Sequence, residues 1–573
     1  MNVNINNIPF SRYGAYVALT AEEGRKSLII HNVRSRPFQD RALEMYILKE
    51  GRAVNYQIEA FPEYVRLISP EGEVTLYIRD DETIAFDSHG LNLYFKAMDD
   101  ASPGSYGIED GDHAFRIIET GIRLHILFVL EKGSGSMTGR YVNTDVWQWN
   151  GAPVNHKNEF SVSCQDGRIL GAVKLSAVES PSIPLPIETQ KEISVIKAEW
   201  ETFLGKMPPT SHKTDEELEF NLVTWYNLWS SYVHARDIYR NDVMVMSKKT
   251  MTAVWSWDHC FNALAMAGLG PKEALDQFMA PFYLQNENGA LPDLLNPGME
   301  LLWNFTKPPV HGWCFGKLMD KFEYPNDILK TVYDGLEKQL NWWFVYRDED
   351  HNGLPCYAHG NDSGWDNSSL FDNGYYVTAP DLSAYIFLQM RTLSRIAGKL
   401  KMSGEKTAWE EKSSALLQNL FNLCWKEDHF VALRSHGRDY VPFPSSLQTH
   451  LPVVLGEYLG DDKMAVEVAA LKNRFLTEYG LATEAPDSPR YESDGYWRGP
   501  IWAPSTYIIV DGLRRGGYPD FAESLAQRYI HLSANVAKGN YENFDALTGK
   551  GFRAPGYTWS ASVYMLLKWE YPL

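Results

Sequence analysis

The stretch that divides this 573-residue chain is Ser180-Pro181-Ser182-Ile183-Pro184-Leu185-Pro186. Its prolines stiffen and extend the backbone, which marks a linker or domain boundary. The hydrophobic period differs on its two sides. Before it, the runs 64–68, 74–78 and 124–130 are rich in β-branched and aromatic residues and are separated by turn clusters such as Ser69-Pro70-Glu71-Gly72. Closely spaced short strands of this kind suggest a β-sandwich. The segment 141–149, followed by Gly151 and Pro153, continues the style. After the proline stretch, apolar residues recur at helical spacing over 188–204, 215–236, 271–283, 324–346, 383–397, 406–423, 464–476, 503–512, 519–537 and 560–571. The spacing predicts a mainly α chain: an N-terminal β-sandwich over 1–180, a linker and connecting helix over 181–212, and a helical domain over 213–573. Ten or so helices with long polar loops suit a closed barrel of paired helices, with the loops of one end forming a pocket. No internal period of about 20–50 residues is present, so the chain is not a solenoid.

Composition narrows the partners. Hydrophobic residues make up 44% and charged residues 22%, close to ordinary globular usage. Aromatic residues reach 13%, with 18 Trp and 32 Tyr. Many serve the core, and the excess leaves rings for platforms in a cleft. The formal charge of -19 repels nucleic-acid backbones and anionic lipid and suits a neutral substrate. Five scattered cysteines, Cys164, Cys260, Cys314, Cys356 and Cys424, contain no CxxC pair, which argues against a disulfide framework and a structural zinc site. The first residues show no basic-then-apolar leader, and no apolar run approaches the ~20 residues that span a bilayer. The expectation is a cytoplasmic protein with no nucleic-acid or membrane partner. Sequence says little about its oligomeric state.

Four loops mix aromatic residues with carboxylates, amides or arginine. The first is Val254-Trp255-Ser256-Trp257-Asp258-His259-Cys260. There Asp258 either binds sugar-like hydroxyls or caps the following helix. The second, 285–313, holds Asn288-Gly289-Ala290-Leu291-Pro292-Asp293 and then Trp303-Asn304-Phe305-Thr306-Lys307-Pro308-Pro309-Val310-His311-Gly312-Trp313. A loop of that length in a compact domain tends to be functional, although His311 alone is equally a hydrogen-bonded core residue. The third, Asn361-Asp362-Ser363-Gly364-Trp365-Asp366-Asn367-Ser368, is also what an ordinary turn needs. The fourth has two parts, Tyr496-Trp497-Arg498-Gly499-Pro500-Ile501-Trp502 and Tyr541-Glu542-Asn543-Phe544-Asp545-Ala546-Leu547-Thr548-Gly549. A carboxylate held against rings, as Glu542 is placed to be, loses solvation and its pKa rises. The signatures GxxxxGK[ST], HExxH and GxSxG are absent, which leaves phosphate-loop, zincin and serine-hydrolase chemistry without support. Asp348-Glu349-Asp350-His351-Asn352-Gly353 imitates the start of a calcium loop, but its twelfth position is His359 rather than Glu.

Taken in order, these loops resemble the inverting α-glycosidases of glycoside hydrolase family 63, in its bacterial glucosidase and mannosylglycerate-hydrolase-like branch, and more distantly the trehalases of family 37. The resemblance covers about residues 215–570. It implies an (α/α)6 barrel and inversion, neither of which periodicity shows. Trp257-Asp258 is similar to the family's Trp-Asp motif at the first sugar subsite. Lys307-Pro308-Pro309 looks like its Pro-Pro loop. Ser363-Gly364-Trp365-Asp366 resembles the segment with the general acid, which places that role on Asp366. Trp497-Arg498-Gly499-Pro500 matches a segment whose arginine lines the pocket, and Glu542 falls at the general base. An acid is needed because a glycosidic oxygen leaves poorly unless protonated, and a base because inversion requires activated water on the opposite face. The chain departs from the family at Asp362, where Glu is usual, at Asp545-Ala546, where Asn-Pro is usual, and at Lys307. The resemblance thus implies a cofactor-independent, metal-free hydrolase of a small α-glucoside or related α-linked sugar. Asp366 and Glu542 are its catalytic pair, and Trp255, Trp257, Asp258, Trp303, Lys307, His311, Trp365, Asn367, Trp497 and Arg498 face the substrate. A sugar phosphorylase on the same barrel and a non-catalytic sugar-binding protein are the alternatives.

Overall fold

The computed structural model describes residues 1–98, 106–109, 113–119, 124–138, 158–177, 182–436, 439–441 and 444–572. The segment 141–149 with Gly151 and Pro153, and the Ser180-Pro181 step, lie outside the described residues.

One compact unit comprises Met1–Met207, Leu222–Ala253 and Asn296–Glu300. It holds two antiparallel sheets. The 7-stranded sheet runs in the order Val17–Ala21, Ser27–Asn32, Arg41–Lys49, Asn92–Ala97, Glu159–Ser163, Ser134–Thr138, with Arg52–Ala53 paired to Arg41–Lys49. The 8-stranded sheet runs Tyr106–Glu109, Ala114–Glu119, Leu124–Lys132, Arg168–Ser176, Thr83–His89, Gly72–Ile78, Val65–Ser69, Gln57–Ala60. Alternation decides which face is buried: along Asn92–Ala97 the side chains of Leu93, Phe95 and Ala97 point inward. Phe95 meets Phe86 and Phe128 of the other sheet, with ring centroids 5.7 and 5.1 Å apart. Phe160, which stands opposite Phe95 in register, meets Phe128 at 4.4 Å. The sheets therefore pack face to face as a sandwich. The later segments join this unit through buried polar bonds. The Asn296 amide donates to the Ser35 and Thr252 carbonyls, and the Thr252 hydroxyl donates to the Ser35 carbonyl at 3.0 Å. Linear composition places one division between 180 and 213, whereas the unit is discontinuous in sequence.

The other unit comprises Pro208–Asn221, Val254–Leu295 and Leu301–Leu573. Six segments pack in cyclic order: Asp258–Met266, His311–Lys321, Pro380–Lys399, the 3-10 segment Leu447–Tyr458, Ala503–Arg515 and Thr558–Glu570. The last of them packs against the first. Pro271–Met279, Asn326–Arg347, Ser403–Cys424, Asp461–Ala470 and Pro519–His531 back them from outside. Every residue of Asp258–Met266 is buried, as are all from Thr558 to Lys568, which is the sign of a helix enclosed by others. Among the described residues, no helix is long and apolar enough to cross a membrane.

Two inner segments escape the sequence reading. His311–Lys321 lies partly in what reads as the loop 285–313. It contains Gly312 and Gly316, which weaken helical propensity, and packing supplies what propensity lacks. Gly312 presses on the neighbouring helix so closely that a Cβ there would lie 2.2 Å from the Gln389 Cα. Its carbonyl also accepts from the Thr392 hydroxyl at 2.8 Å. Leu447–Tyr458 contains Pro452, and its Gly456 has φ 58, so it shows no clean helical period.

Gly312→Ala is expected to destabilise this unit by about 1–3 kcal/mol, because the helices must separate to admit one methyl group. Urea unfolding followed by circular dichroism measures it, and an unchanged midpoint contradicts the close approach.

Candidate active site

Each candidate residue stands where a loop enters an inner helix. Asp258 is the first residue of Asp258–Met266. Lys307 precedes His311–Lys321, Asp366 precedes Pro380–Lys399, Tyr496 precedes Ala503–Arg515, and Glu542 precedes Thr558–Glu570. Local chemistry fixes each loop. The turn Gly360–Ser363 ends at Gly364 with φ 73, a conformation suited to glycine. A Cβ on Gly364 would stand 2.8 Å from the Trp257 ring, so glycine lets Trp365-Asp366 cross over Trp257. Asp362, 1% exposed, accepts the backbone N–H groups of Thr306 at 2.8 Å and Ala358 at 2.9 Å, tying the Lys307 loop to the Asp366 loop. Glu542 sits at the base of a hairpin in which Asn543–Phe544 pairs with Gly551–Phe552. Phe544 exchanges backbone hydrogen bonds with Ile501 at 2.7 and 3.0 Å, and the Glu542 N–H donates to the Ala554 carbonyl at 2.9 Å. That pairing brings the Glu542 loop alongside the Tyr496 loop.

The charged groups converge. The Lys307 ammonium donates to the Asn361 carbonyl at 3.1 Å and stands 3.4 Å from Asp293 and 3.8 Å from Asp366. The side chain of Tyr496 lowers both Asp366 and Glu542, and the Asp366 charge raises Glu542. Burial pushes Glu542 up to about 7, with Arg553 and the Tyr496 hydroxyl pulling it back and the Asp366 charge adding to the rise. Burial also raises Asp366, against the Lys307 ammonium and Tyr496. Asp258 is raised well above the usual carboxylate range by burial, with Lys307 opposing, and one of its oxygens is buried without a hydrogen-bond partner among the described residues. Burial works against the charge on Lys307, but Asp366, Asp293 and Asp258 more than offset it. Burial, then Glu542 and Asp366, keep the Tyr496 phenol protonated and hence a donor. Two carboxyls on adjoining loops, in different surroundings and each acted on by Tyr496, suit acid–base work on a small polar molecule.

Other expected residues stand differently. His311 is 1% exposed and both ring nitrogens are engaged, Nε2 with the Ser256 carbonyl at 3.0 Å and Nδ1 with the Gln339 amide at 3.1 Å. It is a core residue rather than a substrate contact. Asn367 accepts the Trp497 N–H at 2.9 Å and donates to the Gly495 carbonyl at 3.0 Å. Arg498 donates to the Asn367 carbonyl at 2.7 Å and pairs with Asp372. Both side chains thus clamp the Asp366 and Tyr496 loops together instead of standing free to bind a sugar. Trp365 and Trp497 are buried, their rings 4.6 Å apart, and Trp497 stacks on Trp502 at 3.9 Å. Trp257 stands edge-on to Trp559 at 5.5 Å. Trp255 is half-buried in a strand pair with Leu294, and Trp303 is 42% exposed. Sequence reasoning assigned no role to Asp293, Tyr496 or Arg553, although it quoted the first two within motifs. The structural sign at Tyr496 is φ 63, rare for a bulky residue.

A family model described as the mannosylglycerate hydrolase MGH1-like glycoside hydrolase domain matches residues 251–560. The chain is 25% identical over 401 residues to a mannosylglycerate hydrolase of Rubrobacter radiotolerans, covering 54% of this chain and 89% of the relative. A crystal structure of the GH63 mannosylglycerate hydrolase of Thermus thermophilus with glucose superposes with a TM-score of 0.50 at 21% identity, over 56% of this chain and 93% of that one. A bacterial glucoamylase complexed with acarbose superposes with a TM-score of 0.63 at 11% identity, over 99% of this chain and 94% of that one. At such identities these structures speak for the fold alone, an (α/α)-barrel type.

In a sample labelled with 13C at glutamate side chains, the resonance lost in Glu542→Gln is expected to titrate near pH 7. Arg553→Gln removes a cation that favours the ionised form, so it moves that titration to higher pH. An ordinary carboxylate titration near pH 4 contradicts the burial of Glu542.

Proposed function

This chain belongs to the mannosylglycerate hydrolase MGH1-like glycoside hydrolase family, and from that premise we propose that it hydrolyses a small α-glucoside or related α-mannoside with inversion, using Asp366 as general acid and Glu542 as general base. The observation that carries the reading is the set of loop contacts that gathers the two acids: Asn367 clamps the Asp366 loop to the Tyr496 loop, and the Phe544–Ile501 pairing sets the Glu542 loop beside that same loop. In this scheme Asp366 gives its proton to the glycosidic oxygen as that bond breaks. Glu542 takes a proton from water as the water oxygen bonds to the anomeric carbon from the opposite face. Tyr496 donates to whichever carboxylate is ionised. Lys307, Asp258 and Asp293 hold the hydroxyls of the first sugar, and Trp257 walls it. The cyclic order of six inner segments supports an (α/α)6 barrel as the scaffold, with Pro208–Asn221, Val254–Leu295 and Leu301–Leu573 as its catalytic domain. The chemistry needs no cofactor.

Asp366→Ala and Glu542→Ala are each expected to lower kcat about 10²–10⁴-fold while circular dichroism stays unchanged. Near-normal turnover in either removes that residue from its role. Proton NMR of the first product is expected to show the β anomer, and an α anomer first makes Glu542 a nucleophile instead. Added phosphate is expected to leave the rate unchanged, whereas a sugar phosphate among the products assigns a phosphorylase.

In the pH profile of kcat/KM, Glu542 has to be ionised and Asp366 protonated. The acidic limb is therefore expected near pH 7, because Glu542 sits at about 7. Lys307→Met removes a cation that lowers Asp366, so it shifts the alkaline limb to higher pH. A limb that does not move excludes Lys307 as the group tuning the acid.

A further inference from the structure

The general acid protonates the oxygen of the departing group, so that group lies on the Asp366 side of the bond. Three loops meet there. Phe305 adjoins Thr306-Lys307, and the Lys307 ammonium is 3.8 Å from Asp366. His359 leads into Gly360, where a Cβ would stand 2.3 Å from the Asp366 carbonyl oxygen, and His359 is within electrostatic range of the Asp366 carboxyl. Tyr375 completes the set. The rings of Phe305 and His359 stack with centroids 5.0 Å apart at 29°, and those of His359 and Tyr375 at 4.9 Å and 25°. His359 Nδ1 accepts the Asn361 N–H at 3.1 Å, which fixes the ring over the turn that leads to Asp366. Tyr375 at the outer end is 58% exposed, and Trp303, two residues before Phe305, is 42% exposed. Single exposed rings are ordinary. The stacked rings take up one another's inner faces, and the outer face of Tyr375 at the end of the column is left as a platform for the apolar C–H face of a pyranose.

The charges point the same way. Arg490 and Arg498 both pair with Asp372, Arg553 pairs with Asp494, and Lys307 lies between Asp293 and Asp366. Each of these cations already faces a carboxylate. An anionic leaving group would have to compete with a carboxylate for its cation and would strand that carboxylate in partly buried surroundings. We infer that the leaving group is a neutral sugar ring laid on the Phe305–His359–Tyr375 stack, and not a small carboxylate such as glycerate. This rests on Asp366 being the acid.

The test compares kcat/KM for α-linked gluco- and manno-disaccharides with that for glucosylglycerate and mannosylglycerate. The α-glucosyl and α-mannosyl fluorides, whose leaving group carries no ring, report on the first subsite alone. The best disaccharide is expected to exceed either glycosylglycerate at least tenfold. In Tyr375→Ala, the ratio of disaccharide to fluoride kcat/KM is expected to fall about tenfold, mainly through KM. A glycosylglycerate turned over as well as any disaccharide overturns the inference, and so does a Tyr375→Ala variant that keeps the wild-type ratio. Failure to hydrolyse either fluoride falls instead on the α-glycosidase reading beneath it.

Discussion

Four carboxylates, those of Asp258, Asp293, Asp366 and Glu542, are taken out of water around one ammonium and one phenol. That arrangement is expensive. Each ionised carboxylate raises its neighbours, and burial raises all four. Burial lifts Glu542 to about 7, and Lys307 opposes the rise at Asp258, Asp293 and Asp366. A pocket that forces its carboxyls into different protonation states already meets the first requirement of an acid–base pair.

The scaffold keeps that arrangement in place. Trp257, Trp365, Trp497, Trp502 and Trp559 pack on one another as an aromatic wall, and Trp257, Trp365 and Trp497 adjoin Asp258, Asp366 and Tyr496 in the chain. The wall is rigid because its rings pack on one another and its backbone is pinned. The Trp502 indole N–H donates to the Tyr496 carbonyl at 2.8 Å, Asn367 spans two loops, and Asp362 ties a third. Asp362, Asn367 and Arg498 thus act on the chemistry through loop placement, a role that a sequence motif does not separate from contact with the substrate.

The two sides of the pocket differ in kind. Around Lys307, Asp258 and Asp293 the lining is charged and buried, suited to polar groups held in fixed directions. On the Asp366 side it turns to stacked rings with paired cations, suited to a broad neutral face. The T. thermophilus enzyme and R. radiotolerans relative are named for mannosylglycerate. In this chain Lys307 stands between Asp293 and Asp366.

Much was legible without coordinates. Alternating runs before the proline stretch and helical spacing after it show strands and helices because period is a local property. The loops that meet at the pocket stand out because tryptophan beside carboxylate is unusual in a surface turn. The resemblance to family 63 glycosidases was readable from the order of those loops, and the family match agrees with it. What the sequence could not contain is distance. Whether His311 faces a ligand or Ser256 and Gln339, and whether Arg498 is free or spent on Asp372, depends on residues tens of positions away. The convergence on Tyr496 is of the same kind. Tyr496 is acted on by Asp366, 130 positions earlier, and by Glu542, 46 positions later. Local sequence sets periodicity and turn chemistry, but electrostatic coupling falls off through space rather than along the chain, and only the packed fold decides which charges become neighbours.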